Sequence, residues 1–205
     1  KLMTNMYRYV TFALANEFYM IAESQKADIH RIIEAANYEY PRANIPLPGP
    51  NVGGPCLFKD GRFLLTGIPF ADLIQVSFHI NEGMSDYLFN RIKDLRPDIE
   101  TVLILGATFK KDCDDTRNSL SFKMRKVCIK NGVSSYIWDP FVMVDEVMPG
   151  PSEYDAVIVM TPHSRTNLVW SIKEFRRDCV IADVWKMFPE SELSNTGIYK
   201  VGDML

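Results

Sequence analysis

Cys56 sits in the run Asn51-Val52-Gly53-Gly54-Pro55-Cys56-Leu57-Phe58-Lys59-Asp60, the part of the chain whose residue types and spacing best suit covalent chemistry. Gly53 and Gly54 let the backbone approach a ligand closely. Lys59 favours the thiolate form of a nearby cysteine, and Asp60 offers a carboxylate for proton transfer or hydrogen bonding. Together they suit a nucleophile that holds a carbon between two steps; an inert cysteine in a proline-rich loop fits the same spacing. Lys1 and Asn5 stand one helical turn apart, so a helix projects both from one face, where a cation and an amide can share a substrate oxygen. A solvated helix face carries the same pair equally well.

Two later segments also matter. Gly106-Ala107-Thr108-Phe109-Lys110-Lys111-Asp112 follows the apolar run Val102 to Leu105, and Thr161-Pro162-His163 follows Ala156 to Met160. Ligands of open α/β sheets settle beyond the carboxyl ends of the strands, which makes both segments candidates for a nucleotide site. Neither is a G-x-G-x-x-G fingerprint or a P-loop, so Lys110, Lys111 and Arg117 fit a solvated loop as well, and His163 a structural histidine.

Such chemistry needs a folded frame. Of the 205 residues 47% are hydrophobic and 24% charged, which excludes disorder over most of the length. Lys and Arg total 23 against 26 Asp and Glu, a net charge of −3, with no basic block to attract nucleic acid. The apolar runs fall far short of the ~18 residues needed to span a bilayer, so no membrane partner is expected. The 4 cysteines include no C-x-x-C pair, which argues against a disulfide scaffold or a metal site and makes a cytoplasmic setting the expectation. The chain opens at Lys1 without an initiator Met and enters a helical pattern at once, as a piece of a longer protein would.

Apolar residues from Met6 to Ile21 step with a helical period and predict a long helix from Leu2 to about Ser24. Asp28 can cap a short helix reaching about Ala36. Between Pro41 and Gly67, five Pro and five Gly predict an irregular loop, and Cys56 lies in it. A helix of about 25 residues runs from Pro69 toward Pro97, long enough to bury faces against two partners. Beyond it, strands are predicted at 101–106, 134–138, 155–160, 179–183 and near 197–201, with helices at 119–131 and 170–177. Apolar runs alternating with helices mean a parallel sheet covered on both faces. The expected fold class is thus α followed by α/β: a helical domain over 1–96, then a doubly wound, Rossmann-like parallel-sheet domain over 97–205.

In this order the pieces resemble the UDP-glucose/GDP-mannose dehydrogenase family, NAD-dependent enzymes that oxidise the C6 alcohol of a nucleotide sugar to a carboxylate. The resemblance covers essentially the whole chain. It rests on Lys1-x-x-x-Asn5 with Asn16-Glu17, the G-G-x-C-x-x-K-D loop from Gly53 to Asp60, Asn81-Glu82, and Phe109-Lys110-x-x-x-Asp114-Asp115-x-Arg117-x-Ser119. It implies that Cys56 captures an aldehyde as a thiohemiacetal and then forms a thioester, that Lys1 and Asn5 stabilise oxyanions, and that Asp60 manages protons beside the sulfur. Gly53, Gly54 and Lys59 would lie near the sugar, Arg42 would reach a neighbouring subunit's substrate site, Phe109 and Lys110 would contact the nucleotide-sugar end, and Arg117 would contact NAD.

The same resemblance implies a UDP-sugar substrate and a homodimer built through the helical domain, with Tyr87, Leu88 and Ile92 expected at the shared surface. The wording Pro48-Gly49-Pro50-Asn51-Val52-Gly53-Gly54-Pro55-Cys56, and Asp183-Val184-Trp185 where the family commonly has Asp-Gly-Arg, are more similar to the branch acting on N-acetylated sugars such as UDP-N-acetylmannosamine. UDP-N-acetylglucosamine and UDP-glucose stay open as substrates. The family's G-x-G-x-x-G domain is not within these 205 residues, so NAD would be held mainly by a domain outside the chain. The alternative is a nucleotide-sugar-binding or dimerisation module without turnover of its own.

Overall fold

The computed structural model describes residues 1–164, 171–188 and 195–203. Its first part is helical: α1 (Leu2–Ser24), α2 (Ile29–Asn37), α3 (Leu57–Leu65) and α4 (Asp72–Leu95). Asp28 caps α2, its carboxylate accepting the N–H groups of His30 and Arg31. The long α1 and α4 pack along each other, and Tyr19, Met84, Leu88 and Ile92 between them are fully buried in the same core as β-strand residues from the second half. Side chains of this size contribute roughly 1.5–3 kcal/mol each when buried.

Two expectations are corrected by this packing. Leu88 and Ile92 face the chain's own core, and the Tyr87 hydroxyl donates to Glu23 at 2.8 Å, so these three do not form an outward subunit surface. The apolar side chains that α4 does expose are Leu73 and Val76. The proline- and glycine-rich stretch is also not irregular throughout, because Leu57–Leu65 form α3 with Cys56 at the N-cap position. Gly61 reads as a helix breaker but lies where a Cβ would come within 2.8 Å of the Phe78 ring. A glycine at that point lets α3 rest close on its neighbours.

The second part is a five-stranded sheet of β1 (Thr101–Leu105), β2 (Ser134–Trp138), β3 (Ala156–Val159), β4 (Val180–Ala182) and β5 (Ile198–Lys200), with α5 (Ser121–Lys130) between β1 and β2. The strand order is β2-β1-β3-β4-β5. The first four are parallel, as expected of a doubly wound domain, and the edge strand β5 runs antiparallel to β4, a direction the sequence reading did not assign. An apolar run identifies a strand buried on both faces but carries no direction. Val102, Ile104 and Ile158 join the core under α4 and α5, while Leu103, Leu105, Val157 and Val159 join a second cluster with Ile172, Phe175 and Phe188. The helix expected at 170–177 shortens to one 3₁₀ turn, Ile172–Glu174, closed by reciprocal bonds between Ser171 and Glu174; position 170 lies outside the described residues. No helix among the described residues is long and apolar enough to cross a membrane.

At the amino ends of the strands Arg96 locks the junction after α4. Its guanidinium stands 2.7 Å from Asp155, whose other oxygen accepts the N–H groups of Glu100 and Thr101. Burial works against ionising Asp155, but these bonds outweigh it and hold its pKa below the ordinary carboxylate value.

Candidate functional site

The register sets Leu105 opposite both Trp138 and Val159, so the segments that leave β1, β2 and β3 share one rim. Strand order reverses between β1 and β3, the switch point where open α/β sheets leave a crevice. A cleft of about 540 Å³ opens there, a size that suits a small molecule. Its sheet side carries Phe109, Lys110, Lys111 and Thr161; its helical side carries Asn5, Arg8 and the loop from Gly49 to Cys56.

That loop is tied to both halves of the molecule. Asn16 accepts the Gly49 N–H at 2.8 Å and donates to Asn81, which donates in turn to the Tyr9 carbonyl, so three buried groups of α1 and α4 hold one end. Asn51 holds the middle. Its side-chain oxygen accepts the Leu120 N–H at 2.8 Å, and its amino group lies 2.8 Å from the Thr108 carbonyl and 3.0 Å from both Ser119 and Thr161 hydroxyls. Gly53 and Gly54 then pass so close to the second half that a Cβ on Gly53 would collide with the Asn118 carbonyl, and one on Gly54 would come 2.8 Å from the Phe109 ring. Gly54 also needs φ of +100°, a region that other residues rarely enter.

Cys56, exposed at the head of α3, lines the cleft. Asp60 lies one turn further along α3, and the Asn5 amide donates to its carboxylate at 2.6 Å across the gap from α1. The fold therefore brings Asn5, Cys56 and Asp60 together, 55 positions apart in sequence for the bonded pair. Gly53, Gly54, Phe109 and Lys110 line the cleft with Asn5 and Cys56, whereas Asp60 and Arg117 do not. Lys1, at the N-cap position of α1, is exposed and does not line it; nor do the exposed Arg42 and Lys59. Arg117 is forked on Asp115 through bonds of 2.7–3.1 Å, and this pair draws the Asp115 pKa down to about 2. Asp115 raises the pKa of Arg117 in return. Cys128 and Cys179 are different: burial pushes both up to about 12, so they stay thiols packed in the core.

Several lining residues carry no chemical signature in the sequence. Arg8 and Phe12 share the stripe of Asn5, at i+3 and i+7 on α1, and the Arg8 guanidinium sits 5.9 Å from the Phe12 ring centre. Helical periodicity around Asn5 was the available signal. Trp185 had no such signal, because its place depends on contacts from three directions. Its indole N–H donates to the Met160 carbonyl at 3.2 Å, and the ring lies directly over Gly49 where no Cβ could fit. From below, α2 fastens the same loop: the His30 ring donates to the Val184 carbonyl at 2.8 Å, and Lys186 pairs with Asp28 at 2.6 Å. His163 is fully buried beside the rim and does not itself line the cleft. No group of three or more His, Cys, Asp or Glu is placed to hold a metal ion among the described residues.

A helical unit docked on an open, Rossmann-like sheet, with a cleft at the switch point between them, defines the class of this chain as a helical and α/β protein. Residues 1–82 match the central domain of the UDP-glucose/GDP-mannose dehydrogenase family, and residues 103–190 match its UDP-binding domain. The chain belongs to this family. It is 36% identical over 172 residues to a UDP-N-acetyl-D-mannosamine dehydrogenase of Methanocaldococcus jannaschii, covering 80% of this chain and 39% of the relative. It is 35% identical over 198 residues to the enzyme of the same name from Pyrococcus horikoshii, covering 89% and 46%. Among solved structures, the UDP-N-acetyl-mannosamine dehydrogenase of Staphylococcus aureus superposes with a TM-score of 0.77 at 32% identity, covering 92% of this chain and 47% of that one. The chain thus spans less than half the length of these relatives.

Proposed function

We propose that this chain is the sugar-holding and nucleophile-bearing part of an NAD-dependent UDP-sugar 6-dehydrogenase, with UDP-N-acetylmannosamine as the favoured substrate. The observation that carries this reading is the cleft itself. It places at one end a cysteine and an amide, the amide itself bonded to the Asp60 carboxylate, and an aromatic ring and two lysines at the rim of the sheet at the other. The nucleotide lies along Phe109, Lys110 and Lys111, whose ring can contact a base and whose ammonium groups can meet phosphate oxygens. The sugar then extends toward Cys56. Once C6 has reached the aldehyde level, the Cys56 sulfur adds to it and gives a thiohemiacetal; oxidation of that adduct leaves a thioester, and water releases the carboxylate and restores the thiol. Asn5 offers its amide to the oxygen that gains negative charge, and Asp60, already bonded to Asn5, orients that amide and takes a proton from the attacking water.

NAD, when bound, accepts the hydride at each oxidation. Arg117, an exposed cation paired to Asp115, is the residue of this chain that would meet the dinucleotide. Lys1 and Arg42, exposed and outside the cleft, belong to this reading only as groups that approach substrate in an assembled homodimer or a longer chain. In the complete protein, Cys56→Ser should abolish carboxylate formation, because a serine hydroxyl is a far weaker nucleophile than a thiolate at neutral pH. Unchanged NADH production by that variant would refute the role of Cys56.

A second reading, a nucleotide-sugar-binding module without turnover, rests on the match of residues 103–190 to a UDP-binding domain. Calorimetric titration of this chain with UDP and with NAD, followed by an NADH assay with several UDP-sugars, separates the two. UDP binding without turnover fits a part that needs its NAD domain, and restored turnover on adding such a domain decides for the enzyme.

A further inference from the structure

We infer that His163 is a positioning residue that sets nucleotide affinity by clasping the Phe109–Asp112 loop to the sheet rim, an inference that rests on the nucleotide reading of this cleft. The imidazole is fully buried, with the Asp112 carboxylate 3.9 Å from Nδ1. Nδ1 lies 2.9 Å from the Asp112 backbone N–H and accepts from it, so the ring proton is on Nε2. Nε2 then donates to Asp139 at 2.9 Å, with the Thr108 hydroxyl at 3.1 Å as a second acceptor. The Thr108 hydroxyl has its own proton free to donate to the Lys110 carbonyl at 2.8 Å. One tautomer satisfies the whole set.

These contacts join the three segments that leave β1, β2 and β3. Asp139 directly follows β2 and accepts the Ala107 N–H at 2.7 Å and the Phe141 N–H at 2.8 Å. Asp112 returns the clasp, its carboxylate accepting the backbone N–H of Ser164 at 2.9 Å and its hydroxyl at 2.7 Å. Asp112 holds φ at +54°, a backbone state uncommon outside glycine, which needs such external ties. Between Thr108 and Asp112 lie the three cleft residues Phe109, Lys110 and Lys111. They are therefore fixed from both ends of the loop by one histidine that never touches the cleft.

Two isosteric halves of the imidazole separate this role from a merely structural one. Asn at 163 puts an oxygen near the Nδ1 position and keeps the acceptor for Asp112; Gln puts an amide near the Nε2 position and keeps the donor for Asp139. Calorimetric titration with UDP should show His163→Gln weakened about tenfold and His163→Asn within about threefold of wild type, a tenfold loss equalling about 1.4 kcal/mol. Thermal unfolding of the same samples reports stability separately. If the Gln variant does not fold, Asp112→Gly keeps the positive φ, removes the Ser164 half of the clasp, and should likewise weaken UDP. Wild-type binding with unchanged affinity in the Gln or Gly variants, or losses that follow stability in both the Asn and Gln variants, would overturn the positioning role alone. Absence of UDP binding by wild type would instead overturn the nucleotide reading, and the affinity role with it.

Discussion

Replacing Asn51 by Ala tests how the two halves of the molecule are joined. Asn51 is 8% exposed, and its amide is the point where the cysteine loop meets β1, α5 and the segment after β3. Alanine removes the acceptor of the Leu120 N–H, a group at the head of α5 that then has no partner in a dry setting. Leaving one buried donor unsatisfied costs about 1–3 kcal/mol, and the two bonds that the amino group can donate contribute about 1 kcal/mol each. The Thr108 carbonyl keeps a second partner in the Thr161 hydroxyl, which limits the loss there. The expected destabilisation is about 3–5 kcal/mol.

Urea unfolding at neutral pH measures it, with an unchanged slope showing that the same surface is exposed in both proteins. Asn51→Asp provides the control. It keeps an acceptor for Leu120 but turns an oxygen toward the Thr108 carbonyl, so it too should destabilise despite equal volume. A loss below about 1 kcal/mol for the alanine variant would refute the account of Asn51 as the weld.

Three further outcomes follow from the same geometry. Gly49→Ala should push Trp185 from its seat and weaken ligand binding, and combining it with Trp185→Leu should recover about 1–3 kcal/mol of stability, whereas additive effects in the double-mutant cycle would disprove the contact. Stability should fall in acid: Asp139 and Asp155 both titrate below their ordinary value of 3.8 in the folded chain, so their contribution is present above that pH and is lost as pH drops through the folded values. Asp155→Asn should flatten this decline in urea midpoints measured at falling pH. Leu88→Asp should unfold the chain, because it buries a charge in the core, while Leu73→Glu on the exposed side of α4 should leave the fold intact and shift only a self-association equilibrium seen by sedimentation.

What the sequence made readable was local. The apolar runs at β1 and β3 and the helical stripes of α1 and α4 show in the chain because burial on both faces, or on one stripe, forces the residue pattern at once. The direction of β5 was not readable, since a strand paired either way has the same alternation. Nor was α3, because Gly61 carries opposite meanings in a loop and in a helix pressed against neighbours, and the positions of Met6 and Phe78 decide between them. The expected subunit surface failed for a related reason: a stripe such as Leu88 and Ile92 says that something covers it, not whether the cover is another chain or the chain's own α1 and sheet.

The candidate site divides along the same line. Cys56, Asp60 and the glycines stand in one short run, so their types announce a site by themselves. Asn5 adds to them only after 55 positions of chain have folded back, and Arg8 and Phe12 enter with it because a helix that presents one residue to a cleft presents the whole stripe. Lys1 departs from that rule for a physical reason. It occupies the N-cap position, half outside the helix, so spacing alone does not fix where its side chain lies. Asn51, Trp185 and His163 each act on backbone groups of other segments, a carbonyl for the first two and an N–H for the third. Backbone groups have no residue identity, so a side chain that works by holding them leaves no matching partner in the sequence to find.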